Sequence, residues 1–249
     1  MGIERMIYKI FGFSKEEILE KLSKAFSGDS MLLKLKQSID ELHYEAEEEY
    51  LDAKVIIDCP TSISDAVASE IGNSFYGAIY ADEDTSLAKS IIDRAAFYNK
   101  KISVAESLTG GLVTDRLVSV PGCSEILIEG LVTYSNESKM KRLGVDPLAI
   151  RKFGAVSPEV ARQMATGLIK TGVDLAVSTT GIAGPSGGSK EKPVGLTYIG
   201  VADEMKVTAN ELVFEGDRER IRNLAANTAL FLLWKRLIKP NDFDNMVIE

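Results

Sequence analysis

The chain has 249 residues, of which 45% are hydrophobic and 27% are charged, a composition typical of a globular protein with one or two domains. The apolar run "ALFLLW" near the C-terminus is far shorter than the roughly 18–20 residues that a membrane-spanning helix requires. The first residues, "MGIERMIYKIFGF", contain no small-residue cleavage site of the kind that ends a signal peptide. We therefore expect a cytoplasmic protein without a membrane partner.

Cysteine and histidine are too scarce for most metal sites and for a histidine-dependent mechanism. Cys59 and Cys123 are far apart and lack CxxC spacing, so we expect both to be small core residues. The single histidine, His43, lies in the acidic stretch "ELHYEAEEEY", where we expect a solvated side chain. The sequence therefore predicts neither a metal site nor a cofactor.

Charge is distributed unevenly along the chain. Residues 1–85 contain 8 Lys and Arg against 18 Asp and Glu, whereas residues 86–249 contain 21 against 19. The acidic part would repel a phosphate backbone, so we expect no nucleic-acid partner. The change in charge also suggests a boundary, and we divide the chain into a small acidic module, residues 1–83, and a larger domain, residues 84–249.

The acidic module is predicted to be α+β, beginning with a helix. The stretch "SKEEILEKLSKAF" has Ser14 as a candidate N-cap and an apolar stripe at Ile18, Leu19 and Leu22. Residues 31–60 have spacings that suit either strand or helix, and we favour a strand around "AKVIID" and a solvated face at "EAEEEY". A capped helix, "SISDAVASEIG", is predicted to follow.

The larger domain alternates helices and strands regularly, which predicts a three-layer α/β/α sandwich with a mostly parallel, mixed sheet. Helices are predicted at "DTSLAKSIIDRAAF", "GGLVTDRLVSV", "SNESKMKRLG", "VSPEVARQMATGLIKTG" and from Asp217 to "ALFLLWKRLI"; strands at "ISVA", "GLVTY", "DLAVSTTG", "VGLTYIGVAD" and "KVTANELVFEG".

Three irregular stretches follow strands of this predicted sheet: "ESLTGG", "YSNESK" and "TGIAGPSGGSKEKPVG". In such sheets ligands bind at the carboxyl ends of the strands. Glycines let backbone amides approach a ligand closely, and helix N-termini attract phosphate or an oxyanion. Each stretch taken alone could equally be an ordinary loop of turn residues.

Together, "AESLTGG", "VTYSNESK", "LGV", "GAVSPEVARQMA" and "TGIAGPSGGSKEKPVG" closely resemble, in order and spacing, the C-terminal domain of CinA and the stand-alone nicotinamide mononucleotide deamidases. The resemblance covers roughly residues 84–240, and the module before it looks like a shortened CinA middle domain. It implies hydrolysis of the carboxamide of nicotinamide mononucleotide to nicotinic acid mononucleotide and ammonia, without a cofactor, by a homo-oligomer, either a dimer or a trimer.

Motif by motif, the resemblance implies that Ser107, Tyr134 and Lys139 carry out catalysis. The substrate-binding residues that we expect are Glu106, Thr109, Gly110, Gly111, Thr180, Gly181, Gly184 and Arg218. A neutral lysine can activate a serine where no histidine is available. Lys139 falls in the first turn of a predicted helix, where the macrodipole and burial both lower the pKa of its amine. Tyr134 and Lys139 can converge only if a strand-to-helix turn separates them.

Some assignments stay open at this stage. Leu108 stands where the family usually has cysteine, and Leu131 stands where a glycine is common. Glu106 could orient Lys139 or cap a backbone amide, and Arg218 or Lys192 could supply the cation for a substrate phosphate. The alternative function is a nucleotide-binding or regulatory CinA-like protein with little turnover or with a different amide substrate.

Overall fold

The computed structural model describes residues 2–27 and 41–237. They form two compact units that divide between Ser86 and Leu87, and each unit has its own sheet. The predicted ambiguity at residues 31–40 lies outside the described residues. Within the described ranges, no helix combines the length and the apolar character needed to cross a membrane.

The first unit is an antiparallel four-stranded sheet, ordered β2-β3-β1-β4, with two helices. Its core joins the buried positions of the helices to alternate residues of the central strand, such as Val55 and Ile57. The elements are β1 Ile3–Phe11, α1 Lys15–Ser27, β2 His43–Glu49, β3 Asp52–Pro60, α2 Ser64–Ser74 and β4 Ile79–Ala81.

The module does not begin with a helix, because β1 precedes α1. The charges that obscured this strand in the sequence are accommodated across the sheet: Arg5 donates to both carboxylate oxygens of Asp58 on β3, each at 2.8 Å. The predicted helix α1 is present, with the Ser14 hydroxyl accepting the Glu17 amide at 3.2 Å and the Glu17 carboxylate accepting the Ser14 amide at 2.8 Å.

The second unit has a five-stranded sheet, ordered β6-β5-β7-β8-β9. The strands are β5 Ile102–Glu106, β6 Leu127–Val132, β7 Leu175–Gly181, β8 Leu196–Asp203 and β9 Val207–Val213. The helices are α3 Leu87–Phe97, α4 Leu112–Val118, α5 Asn136–Leu143, α6 Pro147–Phe153, α7 Pro158–Ile169 and α8 Arg218–Leu237.

Helices cover both faces of this sheet. Helix α8 packs against β7 and β8 together with α3 and α4, whereas α7 packs against the same strands together with α5 and α6. Strands β7 and β8 are accordingly buried along nearly their whole length. The three-layer α/β fold is confirmed; β5 pairs in parallel with β6 and β7, and the other two pairings are antiparallel.

The parallel register brings three loops to one edge of the sheet. Glu106, the last residue of β5, lies opposite Val132 of β6 and Thr179 of β7. The residues that follow these positions therefore begin their loops side by side. This edge is where sheets of this kind bind ligands.

The remaining sequence predictions concern single residues. Cys59 and Cys123 are buried free thiols, as expected for small core residues. His43 is exposed on β2, also as expected. Among residues 2–27 and 41–237, no group of three or more His, Cys, Asp or Glu side chains has the arrangement of a metal site.

Candidate active site

Ser107 is the first residue after β5, and the sheet fixes its backbone. Its amide donates to the carbonyl of Thr179 on β7 at 2.9 Å, extending the parallel pairing by one residue. The residue is only 9% exposed, but its side chain lines a cleft. The backbone of this residue is thus fixed by the sheet, and the residue lines the cleft.

Lys139 reaches this hydroxyl from helix α5. The helix begins after Ser135, whose hydroxyl accepts the amide of Ser138 at 3.0 Å, so the chain turns sharply where β6 ends. The Lys139 amine lies 3.0 Å from Ser107 Oγ, 2.8 Å from the carbonyl oxygen of Thr133 and 3.0 Å from that of Tyr134. Only 1% of the residue is exposed.

The surroundings of this amine make it easier to deprotonate than an exposed lysine. Burial lowers the pKa of Lys139 to about 8, because an ammonium ion in this position loses its hydration. Among the described residues, no carboxylate forms an ion pair with Lys139 to offset that cost. As an ammonium, Lys139 can donate to Ser107 Oγ and to both carbonyls; once deprotonated, it retains two N–H donors for the carbonyls and has one lone pair for the Ser107 hydroxyl. This arrangement is the one that a general base requires.

Tyr134 lies in the turn that connects β6 to α5. Its backbone carbonyl accepts the Lys139 amine, whereas its side chain lines the cleft and leaves the residue 65% exposed. The strand-to-helix turn that sequence spacing required is therefore present. Tyr134 and Ser107 therefore line the same cleft.

The cleft itself has a volume of about 270 Å³, near the lower end of the roughly 300–1,000 Å³ typical of small-molecule sites. Two of its walls come from the loops predicted to bind substrate. The lining residues are Ser107, Leu108, Tyr134, Lys139, Ala155, Val156, Thr180, Gly181, Ile182, Ala183, Gly184, Ser186, Gly187 and Arg218. Gly181 must be glycine, since a Cβ there would lie 2.6 Å from the carbonyl oxygen of Leu196.

Arg218 and Lys192, the two candidate cations for a phosphate, have different surroundings. Arg218 lines the cleft and donates one N–H to the Gly184 carbonyl at 2.8 Å, which leaves other guanidinium donors for a ligand. The Lys192 amine instead donates to the carbonyls of Phe153 and Val156, both at 2.6 Å. Its donors are directed to the protein backbone, and Lys192 is not among the residues that line the cleft.

Glu106 caps helix α4. Its buried carboxylate accepts the amides of Gly111, Val113 and Thr114 at 2.9, 3.1 and 2.9 Å, and the Thr114 hydroxyl at 2.7 Å. Four donors, three backbone amides and one hydroxyl, thus contact this one side chain at the beginning of α4. Of the two roles that sequence analysis left open, orienting Lys139 or capping an amide, the contacts show the second.

The other residues of the "SLTGG" stretch, Thr109, Gly110 and Gly111, are close to the cleft in sequence but do not line it. The Thr109 hydroxyl lies 2.7 Å from that of Thr179, and the residue is fully buried. Gly110 and Gly111 have φ values of +63° and +104°, which L side chains rarely adopt. Of the predicted substrate-binding residues, Thr180, Gly181, Gly184 and Arg218 line the cleft; Glu106, Thr109, Gly110 and Gly111 do not.

The two departures from the family pattern lie in different places. The Leu108 side chain lines the cleft, whereas Leu131 is half-buried and packs in the cluster around Leu143 and Val160. Sequence reasoning did not identify Ala155 and Val156 as lining residues. Their only signal was the motif "GAVSPEVARQMA", quoted for the resemblance without a role for its first residues.

The fold and the site define an α/β protein with a buried serine–lysine pair in a cleft at the carboxyl ends of parallel strands. A family model described as the CinA C-terminal domain matches residues 84–237, which is more than half of the chain. The chain belongs to the CinA C-terminal domain family.

Individual relatives agree with this assignment. A competence-damage inducible protein of Caldicellulosiruptor saccharolyticus is 39% identical over 236 residues, which cover 93% of this chain and 56% of that protein. One from Clostridium tetani is 49% identical over 172 residues, 68% of this chain and 40% of that protein. The chain thus spans about half the length of the curated relatives that it matches.

Solved structures of the same family have the same architecture. The competence/damage inducible protein of Agrobacterium tumefaciens is 40% identical, with a TM-score of 0.58 over 59% of this chain and 91% of that one. A CinA superfamily protein of Escherichia coli is 32% identical, with a TM-score of 0.58 over 62% of this chain and 92% of that one.

Proposed function

We propose that the second unit is an amidohydrolase that converts nicotinamide mononucleotide to nicotinic acid mononucleotide and ammonia. The observation that carries this proposal is the position of the Lys139 amine, 3.0 Å from Ser107 Oγ and buried so that its pKa falls to about 8. A serine–lysine pair of this kind suits acyl transfer from an amide. The family resemblance supplies the choice of substrate.

In the proposed reaction, Lys139 accepts the Ser107 hydroxyl proton while Oγ attacks the carboxamide carbon. The C–N bond of the tetrahedral intermediate then breaks, and ammonia leaves with a proton delivered through the Tyr134 hydroxyl. Water, deprotonated by Lys139, hydrolyses the resulting ester and regenerates Ser107. The net change is amide plus water to carboxylic acid plus ammonia.

The substrate phosphate would bind at the other end of the cleft. Arg218 offers guanidinium donors there, and the glycines at positions 184 and 187 allow a ligand to approach the backbone closely. We therefore assign phosphate recognition to Arg218 rather than to Lys192.

The test is ammonia release from nicotinamide mononucleotide by the purified chain, with nicotinamide riboside as the substrate that lacks the phosphate. We expect turnover of the mononucleotide, a much lower kcat/KM for the riboside, and a loss of at least about 10³-fold in turnover for Ser107→Ala. Ser138→Ala is the matched control, because this serine lies outside the cleft lining, and it should retain turnover.

Two results would contradict the proposal. Ser107→Ala protein that is folded and releases ammonia at the rate of the original chain would remove the nucleophile from the mechanism. Tight binding of the mononucleotide without any ammonia release would instead favour the nucleotide-binding or regulatory function. Leu108 in the cleft lining is the feature of this chain that would then need explanation.

A further inference from the structure

The backbone immediately after Ser107 is held in place from two opposite sides. On the strand side, Thr179 accepts the Ser107 amide through its carbonyl, and its hydroxyl contacts that of Thr109. On the helix side, the guanidinium of Arg222 on α8 donates Nε–H to the Leu108 carbonyl at 3.1 Å and Nη2–H to the Thr109 carbonyl at 2.8 Å. The Ser107 loop, defined as residues 107–110, is thus anchored to both β7 and α8.

The second anchor controls the orientation of two successive peptide units. A trans peptide is planar, so its C=O and N–H groups point in opposite directions. When Arg222 fixes the carbonyls of Leu108 and Thr109, it also fixes the amides of Thr109 and Gly110. Rotation of either unit would change the backbone angles of Leu108, Thr109 or Gly110, and so change the loop that follows directly from Ser107.

The geometry specifically requires an arginine. Two donors on one rigid planar group reach two adjacent carbonyls, which a lysine amine on a flexible stem does not reproduce. The contact is also close: a Cβ on Gly110 would lie 3.3 Å from Arg222 Nη2. Arg222 is not among the residues that line the cleft.

We infer that Arg222 is a positioning residue for the nucleophile: it holds the Ser107 loop so that Oγ stays within reach of the Lys139 amine. This inference rests on the proposed function for its kinetic consequences. The effect of Arg222 on the reactivity of the Ser107 hydroxyl can be measured without the proposed substrate.

The experiment compares Arg222→Lys with Arg116→Lys in the full chain. Arg116 is the matched control because it is also half-buried and also contacts α8. It donates to the carbonyl of Asn223 at 3.3 Å and to its side-chain oxygen at 2.5 Å, and both hydrogen bonds lead to α8 rather than to the Ser107 loop. For Arg222→Lys we expect kcat for nicotinamide mononucleotide to fall roughly 10- to 100-fold with KM changed less than about 2-fold, since small misplacements of reacting groups are costly. Arg116→Lys should retain kcat.

The second readout is the rate at which a small alkyl fluorophosphonate labels Ser107, followed by intact-mass spectrometry. In this reaction the Oγ–P bond forms, the P–F bond breaks and Lys139 takes the hydroxyl proton, with Ser107→Ala as the blank. We expect labelling to slow in Arg222→Lys and not in Arg116→Lys. In Arg222→Ala, added guanidinium ion at millimolar concentration should restore part of the labelling rate.

These readouts separate the possible failures. A chain that labels at Ser107 in the expected order but releases no ammonia would contradict the proposed function and support the role of Arg222. Equal kcat and labelling rates in the original chain and Arg222→Lys would overturn that role. Equal losses in Arg222→Lys and Arg116→Lys would overturn it too. So would an Arg222→Lys protein that melts at a lower temperature but has full activity per folded molecule. If Arg222→Lys does not fold, the absence of guanidinium rescue in folded Arg222→Ala would overturn the inference.

Discussion

Lys139 is the residue in which the sequence pattern and the structure give the most specific chemical statement. It is among the largest fully buried side chains of the described chain, although lysine is rarely buried without a charged partner. Three hydrogen bonds satisfy its amine, two of them to backbone carbonyls contributed by the turn before its own helix. Burial of this kind costs stability, and such costs are characteristic of functional sites.

The pH dependence of activity follows from this burial. Because the neutral amine is the proposed base and its pKa is lowered to about 8, the reactive form predominates above about pH 8 and is lost as the pH falls. We expect kcat/KM to rise about 10-fold per pH unit up to about pH 8 and then to level off, so that the value at pH 6 is about 100-fold below the plateau. Ammonia release, measured at saturating and subsaturating substrate from about pH 5.5 to about pH 9.5, checks this expectation.

Lys139→Arg tests the same assignment, because arginine stays protonated throughout this pH range. We expect this variant to lose at least about 10³-fold in turnover. Lys141→Arg is the control, since Lys141 is an exposed residue on the same helix. A pH profile of activity that is flat from about pH 6 to about pH 9 would rule out Lys139 as the base, and so would near-normal turnover in Lys139→Arg.

At the scale of elements, the buried cap on helix α4 connects the Ser107 loop to the sheet. Glu106 ends β5 and its carboxylate accepts four hydrogen bonds from the beginning of α4, so the strand and the helix share one fixed side chain. The Ser107 loop lies between them. Its conformation therefore depends on Glu106, a residue that does not line the cleft.

Glu106→Gln should destabilise the second unit by about 2–3 kcal/mol, because an amide nitrogen would face donors that a carboxylate oxygen now satisfies. Urea unfolding monitored by tryptophan fluorescence measures this directly: Trp234, the single tryptophan, is fully buried in α8 of the second unit. Glu137→Gln, an exposed acidic residue in the first turn of α5, should change stability by less than about 0.5 kcal/mol. An equal effect of the two substitutions would mean that the cap contributes nothing specific.

The elements that sequence reasoning identified, and those it did not, have a physical explanation. Helix α7 was predicted from Ser157, Pro158 and its apolar spacing, and in the structure the Ser157 hydroxyl accepts the Val160 amide at 3.3 Å. Strand β1 does not follow from the sequence, because Glu4, Arg5 and Lys9 interrupt its alternation; in the structure Arg5 and Lys9 form ion pairs with Asp58 and Asp52 of β3. Short α6 was missed as well, although Asp146 caps it and Pro147 begins it.

The site could be predicted only in part for a related reason. Ser107, Tyr134 and Lys139 follow from motif positions, and Arg218 was one of two candidate cations; all four line one cleft in the structure. Arg222 lies one helical turn beyond Arg218 in "DRERIR", a pattern equally consistent with a solvated helix face. Its contacts with the Ser107 loop span more than 100 residues of sequence, and nothing local in the sequence indicates them.

At the scale of the whole molecule, the two units differ in charge, in sheet type and in their relation to solved structures. The acidic excess is confined to the first 85 residues, and the two sheets share no strand. Each unit also has its own core of buried residues. The predicted boundary at residues 83/84 and the structural division after Ser86 lie within three residues of each other.

We expect residues 84–237, expressed alone, to fold and to retain the proposed activity. Every residue of the cleft lies in this range, and solved relatives are covered over 91–96% of their own length by about 60% of this chain, so proteins of about this size fold without the first unit. The kcat/KM of the fragment for nicotinamide mononucleotide should agree with that of the full chain within about 3-fold, a difference of less than 1 kcal/mol. Circular dichroism and Trp234 fluorescence would establish folding. A folded fragment that is inactive beside an active full chain would show that the acidic unit contributes to the site, and would contradict the assignment of the activity to the second unit alone.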